Sequence, residues 1–205
     1  MAQPSIDFWF TTGSTYTYLT VMRLDEIERE SDISLVWRPF HLRAILDEMK
    51  YVPFADKPAK SAHMWRDIKR RAAMYGIPVQ VPAPYPAKHN IVANQVAIVG
   101  MQEGWGPRFV REAYRRWFQL GQETGGEPNV SESLRSIGQE PTRVLALAES
   151  EACRARLAAE TDAAKALGIF GSPTFLVDGE LFWGDDRLGD AISWSRHGRV
   201  VRPYQ

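Results

Sequence analysis

Residues 168–184 read G-I-F-G-S-P-T-F-L-V-D-G-E-L-F-W-G, and the rest of the chain is arranged around them. Ser172-Pro173-Thr174 leads into the β-formers Phe175-Leu176-Val177. Asp178-Gly179 supplies a tight turn, and Leu181-Phe182-Trp183 forms the returning strand. Proline has no amide hydrogen to give a ladder, so Pro173 belongs at the first residue of its strand. An X–Pro bond also gives up most of the usual trans preference. A cis bond here would turn the N–H and C=O of Ser172 outward, where an extended, peptide-like ligand can pair with them. Taken alone, these residues favour an ordinary trans proline opening a hairpin. Only a second motif overturns that.

Upstream of the hairpin, an Ala-rich stretch reads as a helix over 149–167, with Gly168 as its C-cap. Downstream, 185–194 reads as a last helix and 197–205 as a tail. At the other end of the chain, the aromatic run 6–10 reads as a first strand, broken by Thr11-Thr12-Gly13. Ser14 stands at a helix N-cap position, and one helix is expected over 16–30. A second strand follows at 33–37, making a right-handed βαβ unit with parallel strands. Between these ends, 41–167 shows helical periodicity and no strand. Helices are expected over 41–49, 60–75, 90–102, 107–120, 130–137 and 141–147, with a proline-rich extended connector at 79–86. Stripped of its middle, the order is βαβ … αββα. The expectation is therefore α/β: a thioredoxin-like fold with an inserted all-helical domain. Its discontinuous halves are 1–40 and 150–205, and the insertion is 41–149. That arrangement brings the 11–14 turn beside Pro173.

Composition narrows the function classes. With 205 residues the chain is long enough for one large domain or a small one carrying an insertion. The 25 basic residues are balanced by 25 acidic ones, so nucleic acid and anionic membranes are not expected as partners. No apolar run approaches the roughly 18 residues of a membrane span. The N-terminus lacks the basic and apolar regions of an export signal. A single cysteine, Cys153, excludes an internal disulfide and a Cys-x-x-Cys pair, which fits a reducing cytoplasm. Cys153 itself reads as a small apolar residue of its helix. His41, His63, His89 and His197 have no metal-like spacing, so no metal is expected. Tyr16 and Tyr18 read as packing aromatics that can also line a pocket.

With the serine turn and the proline corner both in hand, the sequence resembles the 2-hydroxychromene-2-carboxylate isomerases and kappa-class glutathione transferases. These form a branch of the DsbA-like thioredoxin superfamily. The resemblance is carried by Phe8-Trp9-Phe10 leading to Ser14-Thr15-Tyr16-Thr17-Tyr18-Leu19, and by the whole run from Gly168 to Leu188. Between them, Arg38-Pro39-Phe40, Pro58-Ala59-Lys60 and Tyr75-Gly76-Ile77-Pro78 stand in the family order.

The resemblance implies glutathione as cofactor, with the Ser14 hydroxyl donating to its sulfur where redox relatives carry a cysteine. The energetics are consistent. A free thiol has a pKa of about 8.5, and a helix N-terminus lowers it by at most ~1.5 units. A hydroxyl bonded to the anion adds roughly 1.5–3 kcal/mol, so dipole plus Ser14 suffices. Without the second motif, Ser14 would be a plain capping serine. The resemblance further implies that Ser172, ahead of Pro173, pairs with the cysteinyl unit. Asp186 and Arg187 would hold the γ-glutamyl amine and carboxylate, and Lys60 would reach the glycine carboxylate. On spacing alone, Asp186 and Arg187 are a first-turn acid and a surface arginine. Asn90 and Tyr16 would lie near the substrate. The chain departs from the family pattern at Thr12, Gly13 and Thr15 in the turn, and at Tyr51, where kappa enzymes carry asparagine.

The expected function is a glutathione-dependent isomerase in which the thiolate adds reversibly to a conjugated aromatic keto acid. The partner is then a small aromatic substrate, and the assembly a homodimer. The alternatives are a kappa-like transferase conjugating electrophiles, and a non-catalytic binding protein that kept the fold while its turn drifted.

Overall fold

The computed structural model describes residues 3–54 and 57–201. The first strand, β1 (Ser5–Phe10), runs parallel to β2 (Ser34–Pro39), with Phe8 opposite Trp37. The C-terminal hairpin, β3 (Thr174–Val177) and β4 (Glu180–Trp183), lies on the other side of β1, giving the order β2-β1-β3-β4. β3 is antiparallel to both β1 and β4. The hairpin turns on Asp178 and Gly179, both with positive φ. Period-two alternation in β1 sends Ile6, Phe8 and Phe10 to one face and Trp9 to the other. The first face meets Trp37 and Phe175 in the main core; Trp9 packs with Phe40, Ile45 and Ala164 on the second. Both faces of the sheet are covered.

Between the two halves of the sheet run α3 (Leu42–Glu48), α4 (Pro58–Met74), α5 (Asn90–Glu103), α6 (Gly106–Leu120), α7 (Asn129–Ser136) and α8 (Pro141–Ala148). The expected helices are all present. Their apolar faces and the sheet share one continuous core, from Phe8 and Phe175 through Tyr18 to Trp117, Phe118 and Leu134. α5 is buried over most of its length because α6, α8 and α9 (Glu151–Ala166) surround it. Among the described residues, no helix is long and apolar enough to cross a membrane.

Two local expectations are corrected. The single helix expected over 16–30 is two, α1 (Thr15–Val21) and α2 (Leu24–Ser31), separated at Met22-Arg23. No glycine or proline marks the break. Instead the Arg23 guanidinium reaches Asp185 at 2.6 Å and lies 3.7 Å over the Tyr75 ring. The last helix is also later than expected: Asp185–Arg187 forms a 3-10 turn, and α10 (Leu188–His197) follows.

Candidate functional site

The 11–14 turn and the Ser172–Pro173 corner meet. The Ser14 hydroxyl donates to the Ser172 carbonyl at 2.7 Å, across 158 residues of sequence. The Ser172 hydroxyl accepts from the Thr11 amide at 3.0 Å and lies 2.8 Å from the Thr17 hydroxyl. The Ser172–Pro173 peptide bond is cis, and the Pro173 carbonyl accepts from the Gly184 amide at 2.9 Å. Ser14 does occupy the N-cap position of α1, but its side chain makes no capping hydrogen bond. Its hydroxyl is committed to the corner instead. The Ser172 amide finds no acceptor among the described residues.

Helices from the middle of the chain hold this turn. Asn94, fully buried on α5, accepts from the Thr12 amide and hydroxyl at 2.9 and 3.0 Å and donates to the Thr11 hydroxyl at 3.0 Å. Tyr114 of α6 donates to the carbonyls of Thr11 and Ser14, and burial raises its pKa far above the ordinary phenol value. The Thr15 hydroxyl contacts the Met64 sulfur at 3.2 Å. A Cβ on Gly13 would sit 2.5 Å from the Asn90 amide nitrogen, so glycine permits α5 to approach. The turn residues that depart from the family pattern, Thr12, Gly13 and Thr15, are each in contact with a helix.

Two cavities adjoin at this junction, and Tyr16, Ser172 and Trp183 line both. The larger, about 360 Å³, opens beside Ser14 and is bounded by Asn90, Lys60, His63 and Arg43 together with Leu42, Leu46, Met49, Phe54 and Tyr85. At its rim the exposed rings of Phe170 and Trp183 meet edge to face, 4.8 Å apart. Trp183 covers the backbone of Gly171, where any Cβ would meet its ring nitrogen at 2.2 Å. Lys60 stands at the exposed mouth, 2.9 Å from the Tyr51 hydroxyl. That hydrogen bond lowers the Tyr51 pKa.

The smaller cavity, about 260 Å³, lies beyond Pro173 and is lined by Asp67, Arg71, Asp185 and Asp186. Burial first, and then Asp67, pushes the Tyr16 pKa up to about 12, and its hydroxyl donates to Asp67 at 3.1 Å. The expected site residues Ser14, Tyr16, Lys60, Asn90 and Ser172 thus line the larger cavity, and Pro173 and Asp186 the smaller. Arg187 lines neither. Sequence reading missed Arg71, Asn94 and Tyr114. Asn94 and Tyr114 bond to residues 82 to 103 positions away, and Arg71 shows in sequence only an i,i+4 pair with Asp67, so no local pattern marks them. Of the remaining aromatics, Trp117 and Phe109 are core and Phe54 is a cavity wall. Cys153 is buried, which raises its thiol pKa.

A family model for the DSBA-like thioredoxin domain matches residues 5–191. The chain belongs to that family. This DSBA-like chain is 26% identical over 186 residues to a 2-hydroxychromene-2-carboxylate isomerase of Sphingobium xenophagum, covering 90% of this chain and 94% of the relative. It is 25% identical to the glutathione S-transferase kappa 1 of Caenorhabditis elegans, over 90% of this chain and 88% of that one. Among solved structures, a 2-hydroxychromene-2-carboxylate isomerase superposes with a TM-score of 0.80 at 23% identity, covering 90% of both chains. The cytosolic disulfide reductase DsbM of Pseudomonas aeruginosa, solved with GSH, shares the fold at a TM-score of 0.60 and 14% identity, over 94% of this chain and 96% of that one.

Proposed function

We propose that the chain is a glutathione-dependent isomerase of the 2-hydroxychromene-2-carboxylate isomerase type. The observation that carries the reading is the meeting of the Ser14 hydroxyl with the Ser172–Pro173 corner where two cavities adjoin. The residues fit the tripeptide: an unpaired Ser172 amide stands between a cavity with a lysine at its mouth and one lined with opposite charges. When bound, glutathione supplies a thiolate that can add reversibly to a conjugated carbon of an aromatic unsaturated keto acid.

The chain's own residues then have distinct tasks. Ser14 exchanges a neutral carbonyl acceptor, worth about 0.5–1.5 kcal/mol, for an anionic sulfur, worth about 1.5–3 kcal/mol. The exchange favours the anion and frees the Ser172 carbonyl, so that both Ser172 backbone groups can pair with the cysteinyl unit. Lys60 spends one of its three donors on Tyr51 and keeps the others for the glycine carboxylate. Asp186 faces the γ-glutamyl amine. The apolar wall from Leu42 to Phe54 and the Tyr85 ring take the aromatic substrate beside Tyr16 and Asn90, in a volume typical of small-molecule sites.

The test is turnover of a hydroxychromene carboxylate with and without glutathione. Isomerisation should require it, and equal rates would remove the cofactor from the reading. The kappa transferase relative supports a second reaction at the same site, conjugation to electrophiles. Product formation with a chloronitrobenzene acceptor, and none with the chromene, would favour it. The ties of Thr12, Gly13 and Thr15 to α5 and α4 count against a turn that has drifted out of use.

A further inference from the structure

We infer that Arg71, in place of Arg187, receives the α-carboxylate of the γ-glutamyl end; the inference rests on the glutathione reading above. Arg187 is turned back on its own helix, with Nη1 3.0 Å from Asp190 and Nη2 3.4 Å from Asp186, and it does not line the smaller cavity. Arg71 does. Its Nε is 3.1 Å from Asp67, one turn earlier on α4, which leaves the Nη edge of the guanidinium toward Asp186 at 4.0 Å. That separation is too long for a hydrogen bond. An i,i+4 pair with Asp67 accounts for the Nε contact alone. It does not account for a guanidinium edge set opposite a carboxylate more than a hundred residues away.

The charges around the cavity single out one kind of headgroup. Asp67 is already engaged, accepting from Arg70, Arg71 and Tyr16 at 3.1 Å each. Asp185 is buried and paired with Arg23, yet its Oδ2 has no partner among the described residues. What remains is one guanidinium edge, the half-exposed carboxylate of Asp186 and one unpaired buried oxygen. An α-amino acid zwitterion matches these, with its carboxylate on Arg71 and its ammonium on Asp186. A purely anionic headgroup would meet Asp186 as a like charge, and a neutral one would use neither the Arg71 edge nor Asp186 as a charged partner. Burial works against the Arg71 charge, but Asp67, Tyr75 and Asp186 outweigh it and raise its pKa, so the guanidinium stays charged.

The experiment is calorimetric binding of glutathione and of γ-aminobutyryl-cysteinylglycine, which is glutathione without the α-carboxylate. The two ligands are compared on the full chain and on Arg71→Gln, Arg71→Lys and Arg187→Gln. Arg71→Gln should weaken glutathione by about tenfold to a hundredfold. The wild type should lose a similar factor on going to the analogue, and Arg71→Gln should bind the two ligands equally. Arg187→Gln should change glutathione binding less than about threefold, and Arg71→Lys should recover part of the loss. Loss in Arg187→Gln with Arg71→Gln unaffected overturns the assignment. So does an Arg71→Gln loss that is the same for both ligands, which would mark a structural role. The wild-type comparison needs no variant, so it stands even if Arg71→Gln misfolds; equal wild-type affinity for both ligands also refutes the assignment. Absence of wild-type glutathione binding at millimolar concentration overturns the underlying reading along with this one.

Discussion

Ser14 shows how one side chain can look the same in sequence under two roles. A serine one residue before a helix is the ordinary capping pattern. Here the hydroxyl caps nothing and points to the Ser172 carbonyl instead. Replacing it should therefore cost chemistry rather than helix stability. Ser14→Ala should raise the pKa of bound glutathione by about 1–2 units. The ultraviolet absorbance of the thiolate, titrated against pH, measures this, and the thermal midpoint should stay near that of the wild type. A drop in stability without a thiol shift would return Ser14 to a cap. Pro173, Ser172 and Asp186 were legible as residues because the hairpin motif surrounding them is contiguous. Arg71 was not, because the sequence around it is an unremarkable basic helix, and only its position across from Asp186 distinguishes it.

At the scale of elements, the strands and the middle helices follow from their own residues. Alternating Ile6, Phe8 and Phe10 can bury one face, and Asp178-Gly179 can adopt positive φ. The break between α1 and α2 has another origin. Arg23 occupies the gap, with its charge on the buried Asp185 and its plane on Tyr75. The same pair fixes the 3-10 turn that delays α10. Removing one partner strands the other, so Arg23→Met should destabilise the protein by about 3–5 kcal/mol. Arg23→Met paired with Asp185→Leu should recover much of that. Urea denaturation of the single and double variants tests this. If the single change is neutral, the ion pair is not what holds the break.

Across the whole molecule, the helices of the middle region do more than enclose a pocket. Asn94 carries three hydrogen bonds to the 11–14 turn, and Tyr114 two more. Asn94→Ala should cost about 1–3 kcal/mol, since it leaves buried Thr12 and Thr11 groups unpaired. It should also lower isomerase turnover, although Asn94 lies in neither cavity. Unchanged turnover in a destabilised variant would confine Asn94 to folding. A second property of the whole molecule is its response to alkali. Burial, the leading cause in each case, raises the pKa of Tyr16, Tyr18, Tyr75, Tyr85 and Tyr114 above the usual value of 10.0. The unfolded chain thus releases these protons first. Their contribution to stability is complete below pH 10.0 and is lost as pH rises through the folded values, about 12 for Tyr16. Denaturant midpoints should fall over that window, and Tyr16→Phe should fall less steeply.

The sequence by itself determined the order of strands and helices, the hairpin and the proline at its first residue. These depend on neighbours within a turn or two, where periodicity, glycine and proline act directly on the backbone. Tertiary structure decided where α1 stops, which arginine faces the smaller cavity and which buried amide holds the 11–14 turn. Each of those choices is a charge or hydrogen bond between residues tens to more than a hundred positions apart. The energy of such a contact exists only once packing has excluded water from between the partners.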